Sequence, residues 1–337
     1  MTKRILDLKG SRWMAVLALA ICLVIQTAWA KNPKDVVYVI GDSLSDPGNL
    51  YALTGSFPPS PPYDYRFSNG PVWAEYFAEQ LRVKLESLAY GGAFTGMIML
   101  PHRGTAVETP FSNYDSYEYY LLLPPDLPGV KEEVEGLLAS HPEGLNPNAL
   151  YVVWAGANDF FAALENPLLF ESIVTNAASN IASAICGLSA AGARHFAVGN
   201  LPDIGLTPLA EGNRESLTFL SVQFNQALAQ ALTALPLGCA ETLVVLDAFQ
   251  FIQSLVSQPT KYGLENVTTP CISLGPGADC SKYLFWDTAH PTTKGHALFA
   301  ERFRAEFCGT GNQHPGLRGR PNGQPPPIWR GACYGSK

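Results

Sequence analysis

The sequence predicts an α/β fold: a parallel sheet covered by helices on both faces, in three α/β/α layers. Three observations predict it. Short, almost continuously apolar runs recur along the chain, as strands buried on both faces require. Longer stretches with helical spacing separate them. Strands joined through helices need right-handed crossovers, which make neighbouring strands parallel.

The elements follow in order. Val36–Ile40 (VVYVI) is a β-branched and aromatic run of buried-strand length. Phe57–Asn69 (FPPSPPYDYRFSN) breaks the alternation with prolines and aromatics. Pro71–Leu81 reads as a helix, with Pro in the first turn and Val72, Trp73, Tyr76, Phe77 and Leu81 on one face. Met99–Val130 is a second irregular stretch, holding Tyr114, Tyr117, Tyr119 and Tyr120 before LLLPPDLPG. Long loops of this kind are either functional or surface excursions with packed aromatics, and the residues leave both open. Ala149–Trp154 (ALYVVW) is the next strand. Leu168–Ala191 is a long helix ending at Gly192, a residue suited to a left-handed cap. His195–Val198 (HFAV) and Leu243–Leu246 (LVVL) are strands flanking a helix over Glu215–Leu235. Thr292–Phe307 is the last long helix.

Composition bounds the function. The 337 residues carry a net charge of −7, with 47% hydrophobic and 15% charged residues. Such a chain buries a core and is not disordered. The acidic balance excludes a nucleic-acid binder, which needs a basic face to neutralise phosphates. Lys3, Arg4, Lys9 and Arg12, the apolar run Trp13–Ile25 and Ala28-Trp29-Ala30 make residues 1–30 a signal peptide, cleaved after Ala30. The rival, a retained anchor, is disfavoured because the apolar run is short for a span. Cleavage removes four basic residues and one acidic one, taking the charge from −7 to −10. It also leaves six cysteines, and export permits disulfides. Cys271 and Cys280 are the closest pair, and closing so short a loop stabilises by roughly 2–3 kcal/mol. Cys186 with Cys239, and Cys308 with Cys333, are further possibilities. No metal-ligand spacing occurs, so neither metal nor cofactor is expected. Residues 31–308 are read as one catalytic domain and 309–337 as a flexible, Gly/Pro-rich tail with four basic and no acidic residues.

Four blocks carry chemistry. Gly41-Asp42-Ser43-Leu44-Ser45-Asp46 directly follows the first strand, placing a Ser at the sheet edge where α/β folds bind ligands. Alone, Asp and Ser before a helix are as well explained as caps. Asp287-Thr288-Ala289-His290 precedes Pro291 near the far end of the domain. A serine is a weak nucleophile until a base takes its proton, and the base needs an orienting acid. Asp287 and His290 stand three apart, so one turn presents both. Tyr90-Gly91-Gly92-Ala93 offers unobstructed backbone N–H groups, and Gly156-Ala157-Asn158-Asp159 follows a strand and offers an amide. Both suit an oxyanion, which needs fixed donors. Singly they are a glycine turn and a helix cap.

GDSLSD, GGA, GAND and DTAHPT occur in that order, and in this the chain resembles the GDSL, or SGNH, hydrolase family. The resemblance covers most of residues 35–307, including RFSNGPVWAE and GNLPDIGLTP, and is nearest the bacterial secreted esterase, phospholipase and haemolysin-like branch. It implies a flavodoxin-like α/β/α hydrolase domain. It implies Ser43 as nucleophile, His290 as base and Asp287 as its partner, with Ser43, Gly92 and Asn158 as oxyanion donors. The expected activity is therefore that of an exported serine esterase or lipase, including phospholipase or lysophospholipase, working through an acyl-enzyme. A polysaccharide O-acetylesterase with the same triad is an alternative. A phosphate-gripping, non-catalytic module is another, though the chain lacks a glycine-rich phosphate loop. Tyr63, Phe67, Tyr114 and Tyr117, on the two aromatic loops, are the candidate wall for an acyl chain or a quaternary ammonium head group. A small-molecule or lipid ester is the expected partner, with no stable membrane insertion; the site of action is periplasmic, extracellular or surface-associated.

Overall fold

In the computed structural model the described residues are 36–96, 126–165, 167–309 and 329–334. The strands are β1 (Val36–Gly41), β2 (Lys84–Ser87), β3 (Leu150–Trp154), β4 (His195–Gly199) and β5 (Thr242–Leu246). They form one parallel sheet in the order β2-β1-β3-β4-β5. The predicted α/β class and parallel sheet are therefore observed. Sequence periodicity did not single out β2, because KLES is a four-residue edge strand with no fully buried position.

The helices are α1 (Asn49–Thr54), α2 (Trp73–Leu81), α3 (Val130–Ser140), α4 (Ala157–Glu165), α5 (Phe170–Ala190), α6 (Arg214–Thr233), α7 (Ala248–Ser257), α8 (Thr293–Phe307) and α9 (Arg330–Tyr334). Alternate side chains of each strand feed two cores. Val37, Val39, Leu150, Val152 and Trp154 pack under α2, α7 and α8, through Trp73, Phe77, Phe251, Phe299 and Phe303. Tyr38, Ile40, Tyr151, Val153, Phe196 and Val198 pack under α3, α5 and α6, through Val134, Ile181, Ile185 and Leu228. Burying each such side chain stabilises the fold by roughly 1.5–3 kcal/mol, and both cores depend on the same strands. The segment Pro167–Ala190 is long and apolar enough to cross a membrane. Here its Val174, Ala178, Ile181, Ile185 and Leu188 face is buried in the domain.

Among the described residues three disulfides form: Cys186–Cys239, Cys271–Cys280 and Cys308–Cys333. The last bears on the reading of 309–337 as a flexible extension. At residues 329–334 the chain is docked, because Cys333 is bonded to Cys308 and Trp329 is buried against Phe307. The Tyr334 hydroxyl also donates to the Cys308 carbonyl. The pairing of Cys308 with Cys333 was among the possibilities in the sequence; the tail's low-complexity composition hid the contacts of Trp329 and Tyr334.

The parallel register sets Gly41 beside Trp154, and Gly199 beside Leu246. The C-terminal ends of these strands therefore share one edge. β1 has β2 on one side and β3 on the other, so the loops after β1 and β3 diverge and leave a crevice between them.

Candidate active site

The turn after β1 is built by its own polar side chains. Ser45 N–H donates to the Asp42 carbonyl (2.9 Å). Asp46 accepts the N–H groups of Gly48 (2.7 Å), Asn49 (2.5 Å) and Leu50 (3.1 Å), and so satisfies backbone donors at the start of α1, whose N-cap is Gly48. Its Oδ2 also accepts Gly91 N–H (2.8 Å), which ties the first block to the glycine block. Ser43 sits at the head of this turn, buried but for its rim.

The far loop brings its residues to the same edge. Asp287 Oδ1 accepts the N–H groups of Ala289 (2.9 Å) and His290 (2.7 Å), folding the four residues into one turn. His290 Nδ1 lies 2.8 Å from Asp287 Oδ2, and Nε2 lies 2.8 Å from Ser43 Oγ, 247 residues away in sequence. With the Nδ1 proton directed at the carboxylate, Nε2 is left to accept the serine hydroxyl. Trp286 N–H donates to the His290 carbonyl (2.8 Å), and Thr292 caps α8 through its hydroxyl (3.1 Å to Gly295 N). The imidazole is thus fixed from both sides. Burial would lower the His290 pKa, but the Asp287 carboxylate outweighs it and holds the imidazole above its ordinary value. Burial would conversely raise Asp287, yet the His290 charge and its N–H donors keep that carboxyl below its ordinary value.

The two glycines of the second block differ. Gly91 N–H is committed to Asp46, and a Cβ on Gly91 would lie 2.0 Å from the Phe67 ring. Gly92 has φ of 86°, a left-handed conformation, and among the described residues its N–H meets no protein acceptor. Asn158, at the start of α4, donates from Nδ2 to the Ala93 carbonyl (2.7 Å), which orients its amide toward the glycine loop.

A cavity of about 500 Å³ opens at Ser43. Its walls are chiefly apolar, including Phe161, Ile204, Leu209, Ile252 and Ile272, with His290 and Asn158 at the polar end. Tyr63 and Phe67 also line it, but each is engaged elsewhere. The Tyr63 hydroxyl donates to Asp287 Oδ2 (2.9 Å), and the fully buried Phe67 ring stacks on His290 at 5.1 Å. Tyr114 and Tyr117 lie outside the described residues.

Sequence reasoning missed Glu133, and named Asp42 and Asp159 without foreseeing their burial. Glu133, from α3, accepts Gly41 N–H (2.8 Å) and Tyr90 N–H (3.3 Å), and burial drives its pKa well above the ordinary range. Asp159 accepts both the Thr95 N–H and hydroxyl (3.0 and 2.7 Å) and is raised by burial to about 6. Asp42 is raised by burial to about 7. In sequence, Glu133 is one acidic residue in an ordinary amphipathic helix; only packing buries it.

The family pattern of the GDSL-like lipases and acylhydrolases matches residues 37–303, which contain all four blocks. The chain belongs to this family. Membership makes it, at the level of the family, a hydrolase of carboxylic esters. It is 28% identical over 302 residues to the thermolabile haemolysin of Vibrio parahaemolyticus, a match covering 81% of this chain and 64% of the haemolysin. It is 25% identical over 343 residues to the phosphatidylcholine-sterol acyltransferase of Aeromonas hydrophila, covering 86% of this chain and 95% of that one. A GDSL esterase/lipase of Arabidopsis thaliana is 26% identical over 320 residues, covering 79% and 87%. The three disulfides fit a family member that matures in an oxidising compartment.

Proposed function

We propose that the protein is an exported serine esterase or lipase that cleaves long-chain carboxylic esters through an acyl-enzyme on Ser43. One observation carries this reading: the unbroken line from Asp287 through His290 to Ser43, ending at the mouth of an apolar cavity. Ser43 Oγ attacks the ester carbonyl while His290 Nε2 takes its proton. His290 then returns that proton to the departing alcohol. Water attacks the acyl-enzyme by the same route, releasing the acid and free Ser43. Asp287 keeps the imidazole oriented and offsets its transient charge.

The oxyanion meets the N–H groups of Ser43 and Gly92 and the Asn158 amide. Gly92 is favoured over Gly91 because Gly91 N–H already serves Asp46. A cavity of about 500 Å³ with aliphatic and aromatic walls suits an acyl chain better than an acetyl group on a sugar. The Aeromonas relative bears the name of an acyltransferase acting on phosphatidylcholine, which favours a phospholipid or related lipid ester here. Residues 1–30 are the leader, 31–308 the hydrolase domain and 309–337 an extension tethered near its end.

A fluorophosphonate should label Ser43, and Ser43→Ala should remove activity on p-nitrophenyl esters, with rates rising from acetyl toward longer acyl chains. Full activity in Ser43→Ala sinks the triad, and a preference for acetyl moves the substrate to acetylated sugars.

A further inference from the structure

The Pro-rich loop 57–69 stands apart from the four family blocks, yet its aromatics touch two members of the Ser43–His290–Asp287 line. Tyr63 donates its hydroxyl to Asp287 Oδ2, the same oxygen that lies 2.8 Å from His290 Nδ1. Its ring packs edge-on against both Phe67 and Trp286, each 6.1 Å away between centroids. Phe67 in turn lies nearly parallel to the His290 imidazole, at 27°. Asp287 Oδ1 is already occupied by two backbone donors, and among the described residues Tyr63 is the one side-chain donor to that carboxylate other than His290.

We infer that Tyr63 is a positioning residue for the hydrolytic reaction: its hydroxyl fixes the Asp287 carboxylate and moderates the pull of that carboxylate on His290. The inference rests on the triad reading above. The physical basis is competition for one oxygen. A carboxylate that accepts several donors has its charge spread among them and is a weaker partner for each. Without the Tyr63 hydroxyl, Oδ2 would hold the imidazolium more tightly, and the carboxylate would also be freer to rotate.

Burial, and then the Asp287 charge, push the Tyr63 phenol upward, so it remains a proton donor at every working pH. The groups facing His290 are Asp287 on its own loop, Asp42 after β1, and His296 on α8. Burial, with the His290 charge and the Arg66 guanidinium behind it, lowers His296 to about 3, so that residue stays neutral while His290 titrates. Asp42 titrates near neutrality, so the Tyr63 effect is read as a difference between variant and parent, in which the Asp42 contribution is common.

The test is Tyr63→Phe, which removes one oxygen and keeps the ring contacts. On a p-nitrophenyl ester, kcat on the high-pH plateau should fall by about tenfold with KM unchanged, as loss of an orienting charge-assisted hydrogen bond predicts. The acid limb of the kcat profile should move to higher pH by about half a unit, and the His290 imidazole should titrate higher by NMR to match. A raised KM with unchanged kcat and unmoved limb would make Tyr63 part of the substrate wall and overturn the inference. So would a fall in kcat with neither limb nor NMR titration displaced, since that is loss of packing alone. Fluorophosphonate labelling of the parent separates the two levels: if Ser43 is not labelled, the triad reading falls and this inference with it. If Ser43 is labelled and Tyr63→Phe behaves as the parent, only the Tyr63 role is lost.

Discussion

Asp42 stands next to Ser43, almost completely buried, and accepts the Leu44 N–H at 3.1 Å. Burial raises its pKa from 3.8 to about 7, against the pull of the Leu44 and Ala157 N–H groups. Because the folded value is the higher one, the unfolded chain releases its proton first as pH rises. Stability from this group is complete below pH 3.8 and is lost progressively up to about pH 7. A rise of about three units is worth about 4 kcal/mol, a large share of the stability of an ordinary domain. Asp42→Asn keeps an acceptor for Leu44 and cannot ionise. Urea unfolding should therefore give nearly equal stabilities for the two proteins at pH 4, and a gain of about 4 kcal/mol for the variant at pH 8. A gain of the same size at both pH values, or a variant weaker at pH 8, would refute the reasoning. The second result would mean that the ionised carboxylate is held by donors rather than penalised by burial.

Two further predictions concern the tail and the glycine loop. Replacing Cys308 and Cys333 together by Ser opens a loop of 25 residues and should cost about 3 kcal/mol, seen as a lower melting temperature under non-reducing conditions. An unchanged melting temperature would mean that the Trp329 contact alone holds residues 329–334. Gly91→Ala sets a methyl 2.0 Å from the buried Phe67 ring. It should cost about 1–3 kcal/mol and lower kcat, because the ring that must move is the one stacked on His290. Calorimetry and ester kinetics read the two effects separately, and a fully active, equally stable variant would show that the ring has room to yield.

Much of the fold is legible in composition and periodicity. VVYVI, ALYVVW, HFAV and LVVL are each apolar on both alternating faces; the first three are interior strands of one parallel sheet, and LVVL is its β5 edge. β2 was not legible because KLES has one apolar residue and no buried position, whereas the other edge strand, β5, carries an apolar run. The shorter helices α3, α4 and α7 were passed over, whereas α2, of nine residues, was legible from its apolar face and the proline that precedes it. At the site, the residue types and their order pointed to Ser43, His290 and Asp287, and the structure brings these three within hydrogen-bond reach. Tyr63 and Phe67 were legible as candidate wall aromatics, but not in what they touch. Their loop carries no periodicity, and only its packing against the 287–290 turn reveals what the hydroxyl and the ring touch.

The sequence by itself determined which chemical groups are available and in what order. It also set the strand–helix alternation, because burial on two faces and turn chemistry are written locally. The tertiary structure alone decided which of these groups meet. Ser43 and His290 are 247 residues apart, and they touch because the turn after β1 meets the turn that precedes α8, a helix packed with α2 on the same face of the sheet. It also decided which charged groups are costly. Asp42, Glu133 and Asp159 are ordinary acids in the sequence; they become raised, destabilising carboxyls only when packing removes their water. Desolvation depends on what surrounds a group from every side, and no local pattern of residues encodes that.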